Sequence, residues 1–145
     1  MVDVTVSAVV AAPPERVFPF MADLSNWPRW QADMKSVSLI EGEAGSVGAR
    51  YRYLSKAMGQ TIDSTIRLVR VDPAREIAFE GEWAGMIRPD GRYLVEIEGS
   101  GTRITLNPHP ETRRLGSLLA PLLAMIIRRL NRHHLAALQE IFGKG

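Results

Sequence analysis

Six consecutive segments of this chain have the pattern of β-strands joined by very short connections, and this feature restricts the fold more than any other. The predicted strands lie near residues 36–43, 49–57, 60–72, 75–84, 91–98 and 102–108. The connections carry glycine or a Pro/Asp pair, as in GEAGSVG, MGQ, DPAR, RPDG and GSGT. Such short links join antiparallel neighbours, because parallel strands need a crossover of a dozen residues or more. The segments therefore predict an antiparallel sheet.

The two ends of the chain complete this pattern. Residues 2–10 alternate valine with polar side chains, which predicts one further strand ended by the Pro13–Pro14 pair. Two short helices are predicted next, one up to Asp23 and a second capped by Ser25 or Asn26. Residues 113–142 form one long amphipathic helix whose start Pro121 delays or kinks. Since a sheet must bury one face and this helix can cover it, we predict a single α+β domain over residues 1–145.

The long helix has an apolar face, but its beginning is apolar on several sides. The face centred on Leu130 includes Leu119, Leu123, Ile126, Ile127, His134, Ala137 and Ile141. Within Leu115–Ile127, residues Leu118, Ala124 and Met125 fall outside that face. We expect this stretch either to be buried against loops of its own domain or to form a contact patch with a basic rim. Such a patch would suit a homodimer or an anionic membrane.

Composition narrows the classes of function. Hydrophobic residues make up 46% and charged residues 23% of the 145 residues, as in an ordinary globular domain. The chain has no cysteine, which excludes disulfides and thiolate chemistry, and no basic region precedes its first apolar stretch, so we expect a cytoplasmic protein. The basic residues after Glu111 lie among leucines rather than aromatic residues, which argues against nucleic-acid binding.

The motifs that usually signal a metal, a nucleotide or a catalytic triad are weak here. The GEAGSVG stretch lacks the Lys-Ser/Thr ending of a phosphate-binding loop and is interpreted as a hairpin connection. His133 and His134 are adjacent, so on a helix they point about 100° apart and suit a shared metal poorly. We therefore predict no metal and no cofactor.

Several stretches resemble one known family. They are AAPPERVFPFMADLSNWPRWQADMKSV, SVGARYRY, DGRYLVEIEGSGTRITL and the long terminal helix. In this order and spacing they are similar to the polyketide cyclase/dehydrase family of the START-related, Bet v 1-like (SRPBCC) superfamily, over essentially the whole chain. The resemblance implies a helix-grip fold, in which a curved antiparallel sheet wraps around the C-terminal helix with a hydrophobic cavity between them. It also implies binding of lipids, polyketides, hormones or quinones, and in some members cyclase or dehydratase activity.

The stretch LSNWPRW places two of the three tryptophans of the chain three positions apart. The resemblance implies that this corner lies beneath the sheet. We expect Trp30 to be a core residue and Trp27 to be partly exposed, because tryptophan is often only partly buried. A role for the pair in contacting a partner is the weaker alternative.

Strand alternation separates an apolar inner wall from a charged outer face. The inner wall is expected to contain no Asp, Glu, His, Lys or Arg, unless a bulge turns Asp63 or Glu82 inward. The predicted inward residues are Tyr51, Tyr53, Ser55, Ile62, Ser64, Ile66, Leu68, Ile77, Phe79, Gly81, Trp83, Tyr93, Val95, Ile97, Ile104 and Leu106. A wall of aliphatic and aromatic groups with a few hydroxyls is typical of a ligand pocket.

From this wall we predict a carrier or sensor of a hydrophobic small molecule. Hydroxyls that orient a polar end of the ligand would come from Tyr51, Tyr53, Ser64 and Tyr93. The apolar lining would come from Phe79, Trp83, Leu123, Ile127 and Leu130. The alternative is a cyclase or dehydratase in which His134 or a tyrosine moves a proton. A histidine on an apolar helix face is, however, more often a hydrogen-bonded core residue.

Overall fold

The computed structural model describes residues 2–57, 59–113 and 119–145. Its strands are β1 (Val6–Val10), β2 (Met34–Glu41), β3 (Arg50–Ala57), β4 (Gln60–Asp72), β5 (Glu76–Gly81), β6 (Ile87–Arg88), β7 (Gly91–Glu98), β8 (Gly101–Pro108) and β9 (Glu111–Thr112). Its helices are α1 (Pro14–Ala22), α2 (Trp27–Trp30) and α3 (Ala120–Phe142), with a 3₁₀ turn over Leu24–Asn26 before α2. The predicted α+β class and element order are confirmed.

Seven strands form one antiparallel sheet in the order β1-β8-β7-β5-β4-β3-β2. The short connections predicted from glycine and proline join neighbouring strands along this order, from β2 to β5 and from β7 to β8. The chain closes the other edge by pairing β1 with β8, so the first strand lies far from β2 in the sheet. Strands β6 and β9 pair separately and were not predicted, because two-residue strands are too short to show an alternating pattern.

Alternation along the strands separates the two faces largely as predicted. Tyr51, Ile66, Ile77 and Ile104 are buried on the inner face. Asp63 lies outside with its carboxylate on Arg52 at 2.6 Å, and Glu82 is also directed outward, so neither acid turns inward. The register shift in β4 lies between Leu68 and Arg70, beyond Asp63.

Two residues that strand alternation predicted on the inner wall, one at the end of β7 and one after β5, are exposed. Ile97, near the hairpin end of β7, is 74% exposed, so the sheet is not covered there. Trp83 is 39% exposed because β5 ends at Gly81, and strand alternation does not continue through residue 83. The prediction that Trp83 lies on the inner wall is therefore wrong.

The long helix α3 begins at Ala120 with Pro121 in its first turn, which confirms the expected delay of its start. Its second half buries Asn131, His134, Leu135 and Leu138. This end is fixed to the sheet edge, where the Gln139 side-chain amide donates to the Val9 carbonyl oxygen (3.1 Å). The helix packs against β1, β8 and α2.

The first half of α3 is less buried than the sequence predicted. No residue between Ala120 and Leu130 is fully buried, and Leu119 and Ile126, both predicted on the inner face, are 52% and 48% exposed. The predicted face was centred on Leu130, whereas the buried face is centred between Asn131 and Leu138. Among the described residues, no helix is long and apolar enough to cross a bilayer.

Both tryptophans of LSNWPRW are buried, each 2% exposed. Trp30 is a core residue as predicted, but the expected partial exposure of Trp27 is wrong. The two rings are three residues apart on α2 and so point to the same side of the helix, toward the sheet. Trp27 packs edge-to-face against Phe79 with ring centroids 5.3 Å apart. The corner is thus part of the core beneath the sheet.

Candidate functional site

An aromatic cluster occupies the space between the sheet and the short helices. The rings of Phe79 and Tyr93 lie 5.2 Å apart on neighbouring strands. Trp27 contacts Phe79, and Trp30 contacts Tyr93 edge-to-face at 5.4 Å. The structure therefore brings two of the predicted lining residues, Phe79 and Tyr93, together with both tryptophans of the corner.

The Tyr93 hydroxyl is held at the centre of this cluster. It accepts a hydrogen bond from the Gln31 side-chain amide at 3.1 Å, and both side chains are buried. Burial raises the pKa of the Tyr93 phenol strongly, the Gln31 hydrogen bond opposes that rise, and the negative charge of Asp33 adds to it. The phenol is a neutral polar group in an apolar wall, suited to hydrogen bonding rather than to proton transfer.

His134 and Asp33 form a hydrogen-bonded pair next to the aromatic cluster. The His134 Nε2 atom lies 3.0 Å from Asp33 Oδ1, with the histidine side chain 6% and the aspartate side chain 24% exposed. The His134 ring also packs edge-to-face on Trp30, at 5.9 Å. His134 is thus a buried, hydrogen-bonded helix residue, as its position on the apolar face indicated.

Gln31 and Asp33 were missed in the sequence. Both lie in the connection between α2 and β2, where neither helical nor strand periodicity assigns a side chain to a face. The one available signal was their place directly after WPRW, since a chain that leaves a buried helix must pass close to the core. The inward carboxylate that strand alternation did not provide thus comes from a loop.

The other predicted hydroxyls have different surroundings. The Tyr51 hydroxyl donates to Asp23 Oδ1 (3.2 Å) and accepts from the Gly45 backbone N–H (3.0 Å), so it ties the corner to the β2–β3 connection. Tyr53 is buried and lies directly across the β3–β4 pair from half-buried Ser64. The Tyr51 hydroxyl therefore has a structural role, whereas Tyr53 and Ser64 lie next to each other on the inner face of the sheet.

Three of the residues predicted to line the ligand site lie on α3. Leu123, Ile127 and Leu130 are half-buried, and the first two pack against the core. On the sheet, Ile62 and Ser64 of β4 face inward and are half-buried as well. Apolar groups on the first half of α3 and on β4 thus pack against the core but stay partly accessible, and they mark the candidate ligand site.

Trp83 lies outside this site. The Arg113 guanidinium stands 4.2 Å from its ring centroid and the Arg88 guanidinium 5.8 Å. The side chain is therefore part of a cation–π stack on the surface and does not line the interior.

We expect an absorbance titration to detect no tyrosine ionising near pH 10 while the protein stays folded. All three tyrosines are buried, and burial is the largest cause raising the pKa of each phenol above its usual value near 10. The folded state therefore holds these protons more tightly, so their contribution to stability is complete below pH 10 and is lost as the pH rises above it. Tyrosinate absorbance should appear together with the loss of ellipticity. One tyrosine equivalent titrating near pH 10 in the folded protein would contradict the burial described here.

The sequence and fold were compared with those of known proteins. A family model described as polyketide cyclase / dehydrase and lipid transport matches residues 1–142. No curated protein sequence matches the chain significantly. Three solved structures illustrate the likeness of the fold.

The protein TTHA0849 from Thermus thermophilus is 24% identical with a TM-score of 0.79, over 95% of this chain and 94% of that chain. The Zhui aromatase/cyclase from Streptomyces sp. R1128 is 22% identical with a TM-score of 0.73, over 93% and 89%. A START superfamily protein from Mycobacterium smegmatis is 13% identical with a TM-score of 0.72, over 96% and 98%. These similarities confirm the predicted helix-grip fold.

Proposed function

The chain belongs to the polyketide cyclase/dehydrase and lipid transport family, and we propose that it binds a hydrophobic small molecule between its sheet and α3, as a carrier or sensor. The family covers binding proteins as well as enzymes, so the choice between them depends on the site itself.

One observation carries the proposal: large apolar side chains on both α3 and β4 pack against the core but are only half-buried. Leu123 and Ile127 on α3 and Ile62 on β4 are large aliphatic residues that a fully packed core would bury. Leaving such groups accessible costs roughly 25 cal/mol for each Å² of apolar surface, and an apolar ligand would recover that free energy. A partly filled apolar interior therefore supports a ligand of the same character.

The polar groups beside this space indicate where a ligand would be oriented. Ser64 and Tyr53 lie on the β3–β4 side and offer hydroxyls that can both donate and accept hydrogen bonds. Tyr93 and Gln31 lie on the opposite, more deeply buried side, where their polar groups already bond to each other. A mostly apolar molecule with one hydroxyl or carbonyl group fits this distribution best.

We test the proposal with fatty acids, quinones and aromatic polyketides added to the purified protein. A ligand that binds only the folded state at 100 times its Kd raises the free energy of unfolding by about 2.7 kcal/mol, which increases the melting temperature. Because Trp27 and Trp30 lie in the interior, tryptophan fluorescence should change in the same titration. A broad hydrophobic library without any effect on melting temperature or fluorescence would contradict the binding function.

A second candidate, a cyclase or dehydratase, is favoured by the His134–Asp33 pair. An imidazole hydrogen-bonded to a carboxylate is a common arrangement in general acid–base catalysis, and His134 contacts the aromatic cluster through Trp30. His134→Gln retains a polar side chain but removes the imidazole. Turnover of a bound polyketide that is lost in His134→Gln, while binding is retained, would support the enzyme. Full turnover in this variant would exclude the histidine mechanism.

A further inference from the structure

The outward face of α3 is apolar over its first two turns. Leu119, Leu122, Met125 and Ile126 are 52%, 50%, 59% and 48% exposed. At 100° per residue these four side chains fall within an arc of about 120°, directly opposite the buried face of the helix. The contact patch predicted from the sequence began at Leu115, but its residues 115–118 lie outside the described part of the chain. We call Leu119, Leu122, Met125 and Ile126 the apolar face.

Basic side chains follow the apolar face on the same side of the helix. By the same rotation, Arg129, Arg132 and His133 lie directly after it along the helix axis, and none of them is buried. From residue 112 to residue 139 the sequence contains five arginines and no acidic residue. Within the described residues, neither Arg129 nor Arg132 forms an ion pair. The solvent-exposed side of α3 is therefore apolar over its first two turns and positively charged over the turn that follows.

A second exposed apolar segment lies close along the chain. Met86 and Ile87 are 53% and 37% exposed, beside the half-exposed ring of Trp83. Arg113 binds this segment, because its guanidinium donates to the Gly85 carbonyl oxygen (3.1 Å) and its backbone N–H donates to the Met86 carbonyl oxygen (3.1 Å). Arg113 is six residues before the apolar face, so their Cα atoms lie within about 21 Å of each other.

We propose that the apolar face docks on an anionic lipid membrane, with the first two turns of α3 entering the interface. The apolar face spans about 10 Å along the helix axis, close to the 5–10 Å depth to which interfacial helices bury their apolar side. The arginines one turn later then lie at the level of lipid phosphates, where each contributes about 1 kcal/mol of attraction, or a factor of about five in binding.

A second copy of the chain is a poorer occupant of this surface. A two-fold dimer would bring the apolar face against itself and place the positive charges of Arg129 and Arg132 from both copies around one interface. The sequence offers no acidic residue between residues 112 and 139 to balance these charges. Charge complementarity therefore favours a phosphate-bearing lipid surface over self-association.

Sedimentation with vesicles tests the apolar contribution. The full chain should sediment with phosphatidylcholine vesicles that contain about one third phosphatidylserine, and poorly with pure phosphatidylcholine. Leu122→Gln/Met125→Gln should bind these vesicles at least about tenfold more weakly, because both side chains would enter the interface. Ile97→Gln, at an exposed aliphatic residue on β7, is the matched control and should bind as the unaltered protein does. The circular dichroism spectrum and the melting temperature of both variants should equal those of the unaltered protein.

Charge provides the second arm of the test. Arg129→Gln/Arg132→Gln should weaken binding to the anionic vesicles about 25-fold, at about fivefold for each arginine, and high salt should do the same to the unaltered protein. Equal binding by folded variants and unaltered protein would overturn the proposal. So would a concentration-dependent dimer that the Leu122→Gln/Met125→Gln change dissociates while no vesicles bind. Neither result bears on ligand binding, which the library titration measures in the absence of membranes.

Discussion

Replacing Trp30 with alanine is expected to lower the free energy of unfolding by about 4 kcal/mol, the typical cost of removing a buried aromatic side chain. The ring is 2% exposed and is in edge-to-face contact with both Tyr93 and His134. Its removal leaves a cavity between α2, β7 and α3, the three elements that surround the aromatic cluster. At about 2–4 °C for each kcal/mol, the melting temperature should fall by about 8–16 °C.

Trp83→Ala is the matched control for this prediction. Its side chain is 39% exposed and packs on the guanidinium of Arg113, so its removal should cost about 1 kcal/mol or less. Urea unfolding followed by circular dichroism measures both variants, provided the transition is two-state. Equal destabilisation by the two changes would mean that the corner is not the core element described here.

Replacing Ile127 with tryptophan is expected to weaken hydrophobic ligand binding at least about 100-fold, a loss of about 2.7 kcal/mol. Ile127 is half-buried and packs against the core, on the side of α3 where we propose that the ligand binds. An indole at this position would occupy the volume proposed for the ligand. Because the space is only partly filled, the variant should remain folded, with a change in stability within about 2 kcal/mol.

The neighbouring residue provides the control. Ile126 lies about 100° away around the helix and is 48% exposed, so a tryptophan there does not enter the interior. Ile126→Trp should bind the ligand as the unaltered protein does, measured by isothermal titration with the strongest ligand from the library. Equal weakening in both variants would show that the change acts through the helix surface rather than through the cavity.

The strands could be predicted closely because their pattern is local. The alternating residues and glycine-rich connections placed six strands to within a few residues, and burial of one face follows directly from alternation. Alternation predicts which face a side chain is on only within a strand. Trp83 lies two residues after Gly81, the last residue of β5, and its side chain is exposed rather than on the inner wall. The buried face of α3 was misplaced toward the start of the helix, because apolar residues surround that start on several sides.

The polar part of the site could be predicted only in part. The hydroxyls of Tyr53, Ser64 and Tyr93 lie on strands and were assigned inward correctly, and His134 was placed on the inner side of the helix. Asp33 and Gln31 could not be found, because a loop side chain has no period and its direction depends on tertiary packing. The difference matters chemically, since Asp33 gives His134 a carboxylate partner that the strands do not provide.

The measurement that tests ligand binding most directly is mass spectrometry of the organic extract from natively purified protein. We expect a hydrophobic compound in near-stoichiometric amount in extracts of the unaltered protein and of Ile126→Trp, and at least about tenfold less in Ile127→Trp. The same compound, added back to protein freed of ligand, should raise the melting temperature. Extracts with no enriched compound, or with equal amounts in all three proteins, would contradict a ligand site between the sheet and α3.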